Sequence, residues 1–129
     1  MLTPENARRL LTLDSAGGLI AGTLVIALHQ PLSQWEDLPP ALLLFTGTAN
    51  ILYGLYSGRL AYLARCDQPL HSTALRFLVA ANAFWTLVCL ILTALFWPRA
   101  TAWGIVHLVG EGIYVGVLAW VESRVFFAK

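Results

Sequence analysis

Four long apolar runs govern what this chain can fold into: Leu10 to Leu28, Ala41 to Leu60, Leu75 to Trp97 and Thr101 to Val121. Crossing a hydrocarbon core of about 30 Å takes roughly 20 helical residues, and each run has about that length. Backbone in lipid is satisfied only in helices or closed barrels. The runs are too long for barrel strands and lack their alternation. The expected fold class is therefore all-α, an integral membrane four-helix bundle filling residues 1–129 as one domain. Composition agrees: hydrophobic residues make up 58% and charged residues 12%, with a mean hydropathy of +0.70. Soluble domains carry about 25% charged residues. With a net charge of +1 there is no basic stripe for phosphates, so nucleic acid is not an expected partner.

Local signals set the ends of the runs. Thr3 reads as an N-cap, with Pro4 at the first helical position. Gln30-Pro31 ends the first helix and Pro39-Pro40 opens the second. Asp67-Gln68-Pro69 separates the second from the third, and Trp97-Pro98-Arg99 makes a tight turn into the fourth. The positive charges then orient the chain. Arg8, Arg9, Arg59, Arg65, Arg76, Arg124 and Lys129 fall at the termini or in the second loop, and only Arg99 falls on the other side. Both termini are expected in the cytoplasm, in a bacterial inner membrane. Trp35, Trp97 and Trp103 form an aromatic belt at the outer interface, and Trp120, Phe126 and Phe127 mark the inner one. Arg8 and Arg9 precede an apolar run without a small-residue cleavage site, so the N-terminus does not read as a cleaved signal. Cys66 and Cys89 form no CxxC and no disulfide framework. The pairs Gly18/Gly22, Gly54/Gly58 and Gly112/Gly116 permit close helix approach. They are read first as packing within the bundle, and their number suggests a homodimer as well.

Ionisable groups at membrane depth carry most of the functional information. Glu111 lies at the middle of the fourth run, where a charge costs about 3 kcal/mol. Neighbouring Ile, Val and Leu residues return roughly 0.3–0.6 kcal/mol each, so the helix still inserts, with Glu111 turned from lipid. His107 and Glu111 are i and i+4, Glu111 and Tyr114 are i and i+3, and Trp103 shares their face. The second run has its own polar stripe of Thr46, Asn50, Tyr53 and Ser57. Asn50 falls at the depth of Glu111; Thr46, Cys89 and His107 fall one turn outward; Tyr53, Tyr114, Asn82 and Asp14 fall one turn inward. This layering suggests one polar column inside the bundle. The expected ligand-binding residues are Glu111, His107, Asn50, Tyr53, Tyr114, Asn82, Trp85 and Trp103. Bland readings stand beside them: Asn50 and Asn82 as interhelical glue, the tyrosines and Trp85 as packing, Cys89 as a small buried hydrophobe, and Asp14 as a partner of Arg8 and Arg9.

His107 and Glu111 are also a candidate metal pair. Only Cys89 or Asn50 could join them at that depth, so no metal or other cofactor is expected. A bis-histidine haem fits worse, because His29 and His107 differ in depth. No G-x-S-x-G, H-E-x-x-H or P-loop motif occurs, and no catalytic residue is assigned. Length and span count are similar to those of the small four-span glutathione-conjugating membrane enzymes, but the Arg76 to Asn82 stretch does not match their arginine-rich motif. A buried acid beside a lipidic pocket resembles the four-span sterol-isomerase and sigma-2-type proteins, an analogy of architecture alone. The leading expectation is a membrane protein that binds or carries a small amphipathic ligand inside the bundle. A proton or ion pathway, a non-catalytic accessory subunit and a lipid-modifying enzyme follow in that order.

Overall fold

A computed structural model describes residues 4–127. Those residues form five helices and no strand: α1 (Pro4–Ala27), α2 (His29–Glu36), α3 (Pro40–Arg65), α4 (Ser72–Phe96) and α5 (Ala102–Phe127). By length and hydropathy, α1 over Glu5–Ala27, α4 and α5 can each cross a membrane. The 26 residues of α3 make roughly 39 Å at the helical rise, but its polar stripe lowers its hydropathy below theirs. Large apolar side chains such as Leu13, Ile20, Leu52, Phe84, Leu95 and Val117 face outward. That much exposed apolar surface is expected against lipid and not against water. Thr3, the expected N-cap, and Lys129, one of the orienting charges, lie outside the described residues.

The proline signals work as expected at three of the four junctions. Pro39 precedes α3 and Pro40 occupies its first turn; Pro69 and Pro98 fall in the gaps after α3 and α4. The exception is Pro31. The residues after Leu28 were expected to form a loop, and they form α2 instead. Pro31 sits in the first turn of α2, where a helix has no use for the missing N–H. The chain breaks at Leu28 (φ −105°, ψ 13°). At the other end of α2, Asp37 takes a left-handed conformation (φ 52°) and its N–H donates to Ser33 O. The Ser33 hydroxyl closes the turn onto Leu38 O at 2.6 Å.

Packing is closest within two helix pairs, α1 with α3 and α4 with α5. Between apolar helices in lipid the driving force is close contact, not exclusion of water, so small residues decide where backbones meet. A Cβ on Gly22 would stand 2.6 Å from Gly47 O, and one on Gly18 would stand 2.8 Å from Asn50 O. One on Gly54 would stand 2.8 Å from Leu19 N, and one on Gly112 would stand 3.0 Å from Cys89 Cβ. Each of the three Gly-x-x-x-Gly pairs thus has a packing role within the chain, and Gly112 and Gly116 also line an open groove with Leu90, Ile113 and Val117.

Apolar clusters close both ends. At the terminal end, where α1 begins and α5 finishes, Leu11, Leu60, Leu78 and Phe126 pack together. At the α2 end the cluster is Val25, Leu38, Leu43 and Leu108. Polar side chains occupy the space between.

Candidate ligand cavity

The polar layer is built from α5 outward. Glu111 is the hub, with its side chain 11% exposed. Its Oε1 accepts from Asn50 Nδ2 of α3 at 2.8 Å and from Trp85 Nε1 of α4 at 2.7 Å. One carboxyl oxygen therefore ties the two helix pairs together. The Trp85 ring is fixed in turn by Phe45 and Tyr53, each with its centroid 5.8 Å away. His107, one turn before Glu111, turns Nε2 toward Glu111 Oε2 at 3.7 Å. Its Nδ1 meets Glu36 Oε2 at 2.8 Å.

Glu36 is a buried acid, 5% exposed, carried to this position by α2. The carbonyl of Glu36 accepts from Thr101 N at 2.9 Å. The Thr101 hydroxyl donates to Trp35 O at 3.0 Å and accepts from Gly104 N at 3.3 Å, capping α5. A Cβ at Gly104 would stand 2.6 Å from Glu36 O; glycine there lets α2 rest directly on α5.

A second acidic layer lies toward the terminal end. Asp14 and Glu122 are 4% and 0% exposed, and Asn82 between them is 0% exposed. Asn82 Nδ2 donates to Glu122 Oε2 at 3.1 Å. Asp14 lies against Asn82 and Ser57. Three oxygens here, Asp14 Oδ2, Asn82 Oδ1 and Glu122 Oε1, are buried with no hydrogen-bond partner among the described residues. Buried polar atoms normally have a partner, so this group lacks donors or positive charge.

Between the two acidic layers is a cavity of about 430 Å³. One wall is α1, with Asp14, Gly17, Gly18 and Ala21; the other is α5, with His107, Gly110, Glu111 and Tyr114. Asn50, Tyr53 and Asn82 form the back. The cavity opens sideways along the line where α1 and α5 approach only sparsely. A Cβ on Gly110 would meet no atom within 4 Å beyond its own stretch of helix, among the described residues. Tyr114 spans the slot from α5 with its hydroxyl directed at Leu13 O, 3.4 Å away, and Gly17 leaves the space that hydroxyl occupies. No lysine or arginine lines the cavity among the described residues.

Six of the eight residues expected from the sequence line this space: Glu111, His107, Asn50, Tyr53, Tyr114 and Asn82. Trp85 lies behind Glu111 and holds it. Trp103 lies apart, 57% exposed and stacked on Trp35 with ring centroids 5.1 Å apart. Glu36 and Glu111 meet opposite ring nitrogens of His107, so they cannot converge with it on one ion. No group of three His, Cys, Asp or Glu side chains arranged to hold a metal occurs among the described residues. Cys66 and Cys89 are both free.

Three buried acids lie outside the ligand-binding set expected from sequence, although Asp14 belongs to the expected polar column. Glu122 follows Glu111 by eleven residues, close to three helical turns, so spacing alone puts it on the same face. Asp14 continues the Gly18/Gly22 stripe four residues earlier, a sign that it faces α3 and not the interface arginines. Glu36 has no such signal, because only the folding-back of α2 brings it inside.

No protein-family model matches the chain, and no curated protein or solved structure resembles it significantly. Function must be argued from the cavity itself.

Proposed function

We propose that this protein is a four-span membrane bundle, with α3 as the fourth span and both termini cytoplasmic, that binds a small amphipathic cation in the cavity between α1 and α5. The polar stripe of α3 turns toward Glu111 and not outward, so its lower hydropathy does not oppose insertion. The observation that carries the ligand reading is the charge of the cavity. Asp14 and Glu111 line it, Glu36 and Glu122 stand behind it, and no lysine or arginine among the described residues faces it. A buried carboxylate needs a positive or donating partner, and oxygens around Asn82 lack one. The volume of about 430 Å³ falls in the range of small-molecule pockets, roughly 300–1,000 Å³. The apolar walls and the sideways opening suit a molecule with a hydrocarbon body that arrives through the lipid.

The reading is tested with purified protein in nanodiscs, titrated with a short alkylammonium and with the alcohol of the same shape, using Trp85 fluorescence. The ammonium should bind saturably and the alcohol at least about tenfold more weakly, since a desolvated charge contact exceeds 1.4 kcal/mol. Glu111→Gln keeps the acceptor for Asn50 and Trp85, so the fold should persist while the preference for charge falls. Equal binding of the two probes, or none, rejects the reading.

A proton pathway is the second reading, favoured by the run Glu36–His107–Glu111. The apolar clusters at both ends weigh against it. Proton flux into proteoliposomes that is abolished by His107→Gln, without any amine binding, would favour it over the first.

A further inference from the structure

A second lined space lies outside the bundle, at the terminal end of the α1/α3 pair. A cavity of about 340 Å³ is walled by Arg8, Arg9, Thr12, Leu13 and Arg65. It adjoins a furrow of about 290 Å³ that shares Thr12 and Arg65 and continues over Ala16, Leu19, Gly58 and Ala61. We propose that the two together form a site for an anionic phospholipid, with the phosphate among Arg8, Arg9 and Arg65 and an acyl chain in the furrow.

Charge gives the first half of the argument. Arg9 pairs with Glu5 one turn away. Arg8 and Arg65 make no ion pair among the described residues. Arg65 comes from α3 but is drawn over α1, its Nη2 donating to Thr12 Oγ1 at 3.4 Å. Guanidinium groups from two helices thus converge on one space, and their planar forks suit phosphate oxygens. Basic pockets between membrane helices are a known kind of lipid headgroup site.

Shape gives the second half. Free phosphate would need only the arginines. The furrow runs on from them between α1 and α3, and from Thr12 to Leu19 it follows α1 for about 10 Å. Small side chains, Ala16, Gly58 and Ala61, make it concave. Tyr62 flanks it, 66% exposed, and Leu13, 62% exposed, flanks the arginine cavity. A charged head and a narrow apolar trough in one line match a phospholipid better than a soluble anion.

The inference rests on the membrane reading above but not on the amine site. The test uses full-length protein in nanodiscs and native mass spectrometry to count lipids retained from equal phosphatidylglycerol and phosphatidylcholine with the same acyl chains. Phosphatidylglycerol should be retained preferentially. A basic residue near an anionic head contributes about 1 kcal/mol, or roughly fivefold, so Arg8→Gln with Arg65→Gln should lower the preference about thirtyfold. Ala16→Phe, which fills the furrow, should reduce retention while leaving the arginines in place. Arg59→Gln, away from the site, should change nothing. Equal retention of the two lipids by the wild type overturns the proposal. Displacement of the lipid by inorganic phosphate overturns it too, and assigns the arginines to a soluble anion. A chain released from membranes by carbonate would refute the membrane reading itself, a failure distinct from lost lipid preference.

Discussion

Two substitutions of identical chemistry should have opposite effects. Gly22 and Gly110 are both helical glycines in the membrane-depth part of the chain. A methyl on Gly22 would stand 2.6 Å from Gly47 O, 2.8 Å from Ile51 Cγ1 and 2.9 Å from Ile51 N. Carbon and oxygen in close contact keep about 3.3 Å, so α1 and α3 must separate by about 0.7 Å. Two of the obstructing atoms are backbone and cannot rotate away. Overpacking of this kind costs about 1–3 kcal/mol, against about 1 kcal/mol gained from alanine's helix propensity. Gly22→Ala should therefore lose up to about 2 kcal/mol. At Gly110 no atom beyond its own stretch of helix lies within 4 Å of the same methyl among the described residues. Gly110→Ala should gain about 1 kcal/mol, because only the propensity acts. Unfolding by sodium dodecyl sulfate in mixed micelles, followed by circular dichroism, measures both. Equal stability of the two variants, or a more stable Gly22→Ala, would refute the glycine-mediated contact of α1 with α3.

Three further outcomes follow from the same geometry. Gly110→Leu should fill the slot between α1 and α5, abolishing amine binding in the fluorescence titration while the helical spectrum is unchanged; undiminished binding would place the ligand elsewhere. Thr101→Ala removes the α5 cap and the hydroxyl bond to Trp35 O, and should cost about 1 kcal/mol in the detergent unfolding assay; no loss would mean that the cap is made by water. Reporter fusions after Asp67 and Lys129 should read as cytoplasmic and one after Trp35 as external, and an external C-terminus would reverse the proposed topology.

Much of the polar layer was legible because helical spacing is local. Asn50, Tyr53, Glu111 and Tyr114 follow from counting turns along α3 and α5, and the structure puts them on one cavity. The proline signals likewise fixed most helix ends. What counting could not supply was contact between distant elements. Glu36 is charged, follows an X-Pro pair and reads as loop; it is interior only because Leu28 redirects the chain and Asp37 closes α2. Trp103 shares a face with His107 by spacing, yet it lies beyond the α2 contact at Gly104 and stacks outside on Trp35. Glu122 falls outside the hydropathy run, which ends at Val121, whereas α5 continues to Phe127. The run measured apolar length and not helix length.

The place of α2 also gives the slot two unlike ends. Near α2 it is pinned by directional bonds: Thr101 to Glu36 and Trp35, and His107 to Glu36. At the other end α1 and α5 meet through Leu11 and Phe126 and the long Tyr114 bond. Apolar surfaces slide at little cost, whereas hydrogen bonds in lipid resist stretching. If α1 and α5 part to admit a guest, the motion is that of a hairpin spring: the bend stays closed at α2 and the prongs spread past Tyr114. Of the two carboxylates lining the cavity, Glu111 is the one tied through His107 to the pinned end, whereas Asp14 belongs to the looser end.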